Sequence, residues 1–478
     1  MAAAAGFDAG FRSASRAGSR AGSRPGSRAG SRQSSLPGLR KSSRPSTPSV
    51  GPSISMFGWE EDPAPKDVAA TGCECERKWH GGVLAGDGRI YCVPFNARAV
   101  LCIDPRDASS FLFGTLPEGS GKWRGGVLAW DGRIYCTPYN ADTVLCIDPA
   151  SSPPKATIMG RLRPGLGKYH GAVLGPDGRV YCVPHNADAV LCIDPATRSV
   201  SAFGLLRGME RKWAGGVLGD NGSIYCVPHN AKSVLRIDPG VMQVTTFGKV
   251  PPGGRKWLGA VRVDSGRIVC VPFSAPDVLC IDPMSCTCSK FGNLGNDAAK
   301  WSGGVLANDG RVYAAPYDCR SVLRIDPASG ECMVFGRLAV GGGKWEDPVL
   351  GLDGKIYCVP SGAGGRAVLS IDPIRTTATQ SSTLPLLEDE ALRSPGAVHA
   401  SRWQGGVLAS NGRIFCVPSN APQVLCVAPD IYRDMRVRFT WHKEPCTIAP
   451  RSGTFAMLEG CATRLTSKTL RRCESAQS

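Results

Sequence analysis

Long apolar runs are missing from this chain of 478 residues: no stretch approaches the ~18 consecutive apolar residues that a membrane helix needs. The first residues also lack the apolar core of a secretory signal. A cytoplasmic protein is therefore expected, with the nucleus as an alternative, or an organelle if the N-terminal segment is a transit peptide. Histidines number only 6 and show no triad or metal spacing, which leaves catalysis without a motif. Acidic residues are the scarcer sign, 40 against 56 Lys and Arg, for a net charge of +16. Yet no basic stripe interleaved with base-stacking aromatics runs through the body of the chain, so nucleic acid is expected only as a nonspecific partner of the tail. Cysteine, by contrast, is plentiful at 21, but an odd count without a secretion signal reads as buried reduced thiols rather than a disulfide framework. Cys73-Glu74-Cys75 and Cys286-Thr287-Cys288 are too tightly spaced for structural zinc, and no metal or other cofactor is expected.

What is there is a repeat. A Lys-aromatic pair, Gly-Gly-Val-Leu, an Asp-Gly turn, Ile-Tyr-Cys-Val-Pro, Asn-Ala and Val-Leu-Cys-Ile-Asp-Pro recur eight times with variations. The aromatic anchors Trp79, Trp123, Tyr169, Trp213, Trp257, Trp301, Trp345 and Trp403 are 44, 46, 44, 44, 44, 44 and 58 residues apart. A period in the forties built of short strands marks a propeller blade. In the first copy, Asp87-Gly88 supplies the positive φ of a tight turn between two apolar runs. Asp104-Pro105 opens the next reversal, and Phe111 to Gly114 makes a fourth strand. Both alternating sets of the second strand, Ile90/Cys92 and Tyr91/Val93, are apolar, so neighbouring sheets must cover both faces.

The expected fold is all-β: an eight-bladed β-propeller of four-stranded antiparallel blades over residues 53–428, with seven blades as the alternative. Residues 53–58 resemble the fourth-strand phrase Ser201-Ala202-Phe203-Gly204 and are assigned as the closing strand of the last blade, which would otherwise leave a bare edge. Position 102 is Cys in five copies but Arg at Arg236 and Arg324 and Ser at Ser370, which suggests a blade edge or solvent channel. Five copies hold Cys at both 92-like and 102-like positions, where the two would sit across one hairpin.

Outside the repeat, residues 1–52 form a basic Arg/Ser/Gly-rich tail with too little apolar surface to offset its chain entropy, and disorder is expected. Arginine stands three residues before Ser15, Ser19, Ser23, Ser27, Ser31 and Ser35, the spacing of basophilic kinase substrates. Residues 429–478 form a C-terminal extension, expected to be partly disordered, in which Arg436 to Trp441 reads as a strand or cap. Leu387-Glu388-Asp389-Glu390, inside the 58-residue interval, reads as an acidic surface loop.

If the first strand of each blade lines the channel, the loop entering it and the second-to-third-strand loop share one face. That face collects Lys78, Lys122, Lys168, Lys212, Lys256, Lys300, Lys344 and Arg402, while the Asp-Pro turns from Asp104 to Asp372 collect on the other. One face is thus expected to be cationic and the other anionic. A binding face of Lys78, Lys122, Arg124, Lys168, His185, Lys212, His229 and Arg402 would suit an acidic or phosphorylated protein partner. The competing reading is that the aromatics wedge between blades with the lysines over them, because a feature repeated in every blade is what folding alone produces. Function is better sought where the copies differ. The residue after the aromatic is His80, Arg124, His170, Ala214, Leu258, Ser302, Glu346 and Gln404 in turn, and His80, His170 and Glu346 are the candidates for proton transfer.

The phrase Asp-Gly-Arg-Ile-Tyr, followed by Val-Leu-Cys-Ile-Asp-Pro and then Phe-Gly, resembles the blades of virginiamycin B lyase-like propellers, and more loosely NHL-type and kelch repeats. The resemblance implies a scaffold that hosts lyases, lactonases and binding modules alike. It also implies, for lyase members, a histidine and acidic residues with a divalent metal at the channel mouth, a motif that does not carry over here position by position. The expected function is a non-catalytic intracellular scaffold that binds a protein through one loop face. The alternative is a metal-assisted lyase or hydrolase at the channel mouth.

Overall fold

The alternation of five-residue apolar runs with Asp-Gly and Asp-Pro turns folds into strands too short to stand alone. The computed structural model describes residues 51–59, 76–362, 364–381, 384 and 401–429. The first blade runs Trp79–Leu84, Ile90–Pro94, Val100–Asp104, Ser109–Phe113, each strand antiparallel to the next. Its two middle strands are buried at every residue, whereas the outermost alternates, because only the inner strands have a neighbouring blade on both faces. The same order gives eight four-stranded sheets, so the protein is an eight-bladed β-propeller and the seven-bladed alternative falls.

The core is divided among the seams between blades. Trp79 and Leu101 of the first blade pack with Val407, Phe415 and Val424 of the last, while Val83 and Tyr91 on the opposite face pack with Trp123 and Ile134 of the second. Each of the seven anchor indoles is buried and donates its Nε1–H within its own blade, Trp79 to the Ala99 carbonyl at 2.9 Å and Trp123 to that of Thr143 at 2.8 Å. A wedge that buries a large ring and satisfies its one donor fills a seam without leaving a polar orphan.

The ring closes where the sequence places the closure. Ser53–Phe57 pairs antiparallel with Val424–Ala428, Ser53 opposite Ala428 and Phe57 opposite Val424. The chain then crosses to the first blade, where Trp59 meets Trp79 edge-on at 5.2 Å and the Gly58 carbonyl accepts from Ser110 Oγ at 2.8 Å.

Three expectations need correction. Position 102 is not at an edge: Cys102 lies opposite Tyr91 in a seam and is fully buried, and only the long Arg236 and Arg324 reach partial exposure. Cys92 lies opposite Leu101 while Cys102 lies opposite Tyr91, so the pleat sends the two thiols to opposite faces of the sheet, and every described cysteine is free. The Asp-Pro face is not a bare anionic surface either. Asp148, Asp194 and Asp326 pair with Arg133, Arg179 and Arg311 at 2.9, 3.0 and 3.1 Å, and Asp104 is clamped between Arg89 and Arg106. The serines of the tail, the acidic loop around Glu388 and the C-terminal extension lie outside the described residues. Among the described residues no helix is long and apolar enough to cross a membrane.

Candidate functional site

The recurring lysines are structural. Lys78, Lys122, Lys168, Lys212, Lys256, Lys300, Lys344 and Arg402 are all buried, so the ring of cations expected on the binding face is inside the seams. Their ammonium groups donate to backbone carbonyls. Lys122 reaches Asn96 O at 2.9 Å, Lys212 reaches Asn186 O at 3.2 Å, and Lys168 reaches Asn140 O at 3.0 Å and the Asp142 carboxylate at 2.9 Å. Lys78 reaches across the closure to Asn420 O at 3.3 Å, and the Arg402 guanidinium lies 4.6 Å over the Trp403 ring. Burial opposes the charge, and it pushes the Lys256 ammonium down to about 8. The loop asparagines act in the same seams: Asn96 Oδ1 accepts from the Gly121 N–H at 2.7 Å, one blade on.

Where the copies differ, the side chains line the channel. His80, Arg124, His170, Ala214, Leu258, Ser302, Glu346 and Gln404 surround a cavity of about 250 Å³ at its waist. A bulge in each first strand puts them there: the pairing register breaks between Trp79 and Gly82, and likewise in the other blades. The bulge needs a left-handed residue, and Gly81, Gly125, Gly171, Gly215, Gly259, Gly303 and Gly405 have φ between 72° and 90°. Blade seven departs: Glu346-Asp347-Pro348 replaces the usual residue-Gly-Gly, and Asp347 holds the same left-handed conformation at φ 45°. An aspartate there costs roughly 1 kcal/mol or more relative to glycine. Pro348 takes the place of a glycine whose Cβ would press on a valine of the preceding blade, as Gly304 would on Val271 at 2.7 Å. Ring symmetry sets Pro348 against residue 315, and that residue is alanine, so the preceding blade makes room.

Electrostatically the waist has two poles. Burial and the neighbouring Asp347 push the Glu346 carboxyl up to about 7, partly offset by Arg124 and by hydrogen bonds to Gln404 and Ser361. Burial also raises Asp347, which accepts the Gly405 N–H at 3.0 Å. Arg124, in the second blade, lies 5.5 Å from the centre of the Tyr139 ring and leaves its buried Nε without a partner. His80 and His170 flank Arg124 and are held well below the usual imidazole range, by burial first and by its charge second, so both are neutral at pH 7. His80 Nε2 and His170 Nδ1 are buried and unpartnered as well.

Above the waist the second-to-third-strand loops add Phe95, Tyr139, His185, His229, Phe273 and Tyr317 in blades one to six, and Ser361 and Ser419 in the last two. Ring contacts run along this belt: Phe95 to Tyr139 at 6.0 Å, His185 to His229 at 5.5 Å and Phe273 to Tyr317 at 5.5 Å. His170 joins it from below, 5.3 Å from His185. His185 Nδ1 bonds to the Trp213 carbonyl at 2.8 Å and so carries the proton, leaving Nε2 as its acceptor. Burial depresses both His185 and His229 to about 4.

The structure thus gathers His80, Arg124, His170 and Glu346 at one place and sets His185 and His229 above them. Asp347 was missed by inspection of the sequence. Its signal was available, because blade seven is the one copy that breaks Gly-Gly/Ala with an acid and a proline. A divalent metal does not fit these donors. Among the described residues no three of His, Cys, Asp and Glu stand close enough together to hold an ion, and Arg124 places a positive charge between the two histidines.

Short bulged first strands around a side-chain-lined waist, closed by an N-terminal strand, define the eight-bladed β-propeller class. Among solved structures, one described as streptogramin B lyase is similar at a TM-score of 0.50 and 11% identity, covering 80% of this chain and 98% of that one. A virginiamycin B lyase from Staphylococcus aureus is similar at 0.49 and 14%, covering 64% of this chain and 94% of that one. The fold is accordingly a virginiamycin B lyase-like β-propeller, and at such identity the likeness is one of fold alone. No family model and no curated protein matches the chain.

Proposed function

We propose that the protein binds a small polar molecule in the waist of its channel, between the carboxyl pair Glu346–Asp347 and the guanidinium of Arg124. The observation that carries this reading is Asp347. Seven blades fold with glycine at the bulge, so the blade does not require an acid there, although this one also accepts the Gly405 N–H. An aspartate in a left-handed conformation, beside a second enclosed carboxyl, costs stability twice, and such a cost marks function more often than folding. A cavity of about 250 Å³ lies below the usual ~300–1,000 Å³ of drug-sized sites, which points to a metabolite-sized ligand. The recurring cations are committed to the seams, so a protein partner would be held by the loops in which the blades differ.

A second reading, proton transfer to or from the bound molecule, is favoured by one observation. Burial pushes the Glu346 carboxyl up to about 7, and it lines the same cavity as two neutral imidazoles, as a general acid or base should. The test for binding is affinity selection: full-length protein is incubated with a metabolite extract, and the retained small molecules are identified by mass spectrometry. A compound retained by the native protein and lost by Asp347→Gly supports the site. Identical retained sets for the two proteins refute it.

A further inference from the structure

Resting on that reading, we infer that the ligand is an α-amino acid with an apolar side chain, its carboxylate on Arg124, its ammonium on Glu346 and Asp347, and its side chain against Ala214 and Leu258. The arrangement around the ring carries the inference. Arg124 stands in blade two and the carboxyl pair in blade seven, so the positive and negative poles face each other obliquely across the waist rather than side by side. Both poles line the same cavity of about 250 Å³, where one small molecule can meet them together. Blades four and five contribute only Ala214 and Leu258 at this level, an apolar arc that interrupts an otherwise polar ring.

A lone anion would satisfy Arg124 but face the carboxyls, and a lone cation would meet the reverse conflict. A zwitterion with an apolar branch matches all three sectors. His80 and His170 flank Arg124 in the cavity lining, so the carboxylate end is bordered by polar side chains. Charge-assisted bonds of this kind are the strong ones, particularly where water is excluded.

The test is calorimetric titration of the full chain with L-leucine, with 4-methylpentanoate, which lacks the amine, and with 3-methylbutylamine, which lacks the carboxylate. Leucine is expected to bind, and each truncated analogue to bind at least about tenfold more weakly, roughly 1.4 kcal/mol. Arg124→Met is expected to abolish the preference for leucine over the amine, and Asp347→Gly the preference over the acid. Both variants are checked for a native far-ultraviolet spectrum and melting transition. An analogue that binds as tightly as leucine overturns the assignment, as does leucine binding that survives both substitutions or no binding at millimolar leucine. If leucine fails while affinity selection still yields a compound lost by Asp347→Gly, the ligand class is wrong and the channel site stands.

Discussion

Replacing His185 and His229 together by phenylalanine, the residue that blades one and five carry at the same place, should make the protein markedly more resistant to acid. Both imidazoles are nearly inaccessible, at 5% and 9% exposure, and burial lowers their ionisation from 6.5 to about 4. Above pH 6.5 the folded and unfolded chains both carry neutral rings, and nothing is lost. As the pH falls from 6.5 towards 4, the unfolded chain takes up protons that the folded chain refuses, so stability declines. At about pH 5 the difference is roughly 2 kcal/mol for each histidine, or about 4 for the pair. The substitution also removes the bond from His185 to the Trp213 carbonyl, worth about 1 kcal/mol at every pH, so the slope matters rather than the absolute stability. Urea midpoints measured from pH 7.5 down to 5 should fall steeply for the native protein and less steeply for the double variant, in which the buried His80 and His170 still contribute. Parallel declines would refute the claim that these two rings are held neutral by burial.

Glu346→Gln should act with the opposite sign. A carboxyl raised from 4.5 to about 7 opposes folding increasingly as the pH rises through that window, so the amide should stabilise the protein above pH 7 and leave it nearly unchanged near 4.5, as read by the same midpoints. Removing residues 1–60 deletes the strand that pairs with Val424–Ala428 and should lower the melting temperature sharply, whereas removing residues 1–48 should not. Small and equal effects of the two truncations would contradict the closure.

The blade was legible because its determinants are local: Asp-Gly turns, five-residue apolar runs and a fixed aromatic spacing. The closing strand was legible because Ile54 to Gly58 repeats the fourth-strand phrase at the wrong end of the chain. The burial of the lysines was legible from their recurrence in every blade, but their partners were not. That Lys122 reaches the Asn96 carbonyl depends on where the preceding blade's loop ends up, and no periodicity encodes that. The same holds for Cys102, whose burial comes from an adjacent sheet rather than its own. At the site, His80, His170 and Glu346 stood out as unequal copies of one position. Their convergence with Arg124, and the cost of holding Asp347 left-handed, emerged only once the strand was seen to bulge at the waist.

The most direct test of the account is the thermal melt of ligand-free Asp347→Gly beside the native protein. If Asp347 is retained for a ligand, restoring the glycine of the other seven blades relieves backbone strain and an enclosed charge, and the melting temperature should hold or rise. If Asp347 is instead a structural cap for the Gly405 N–H, its loss should lower the melting temperature by more than about 2 °C, and that result would contradict the channel as the working site.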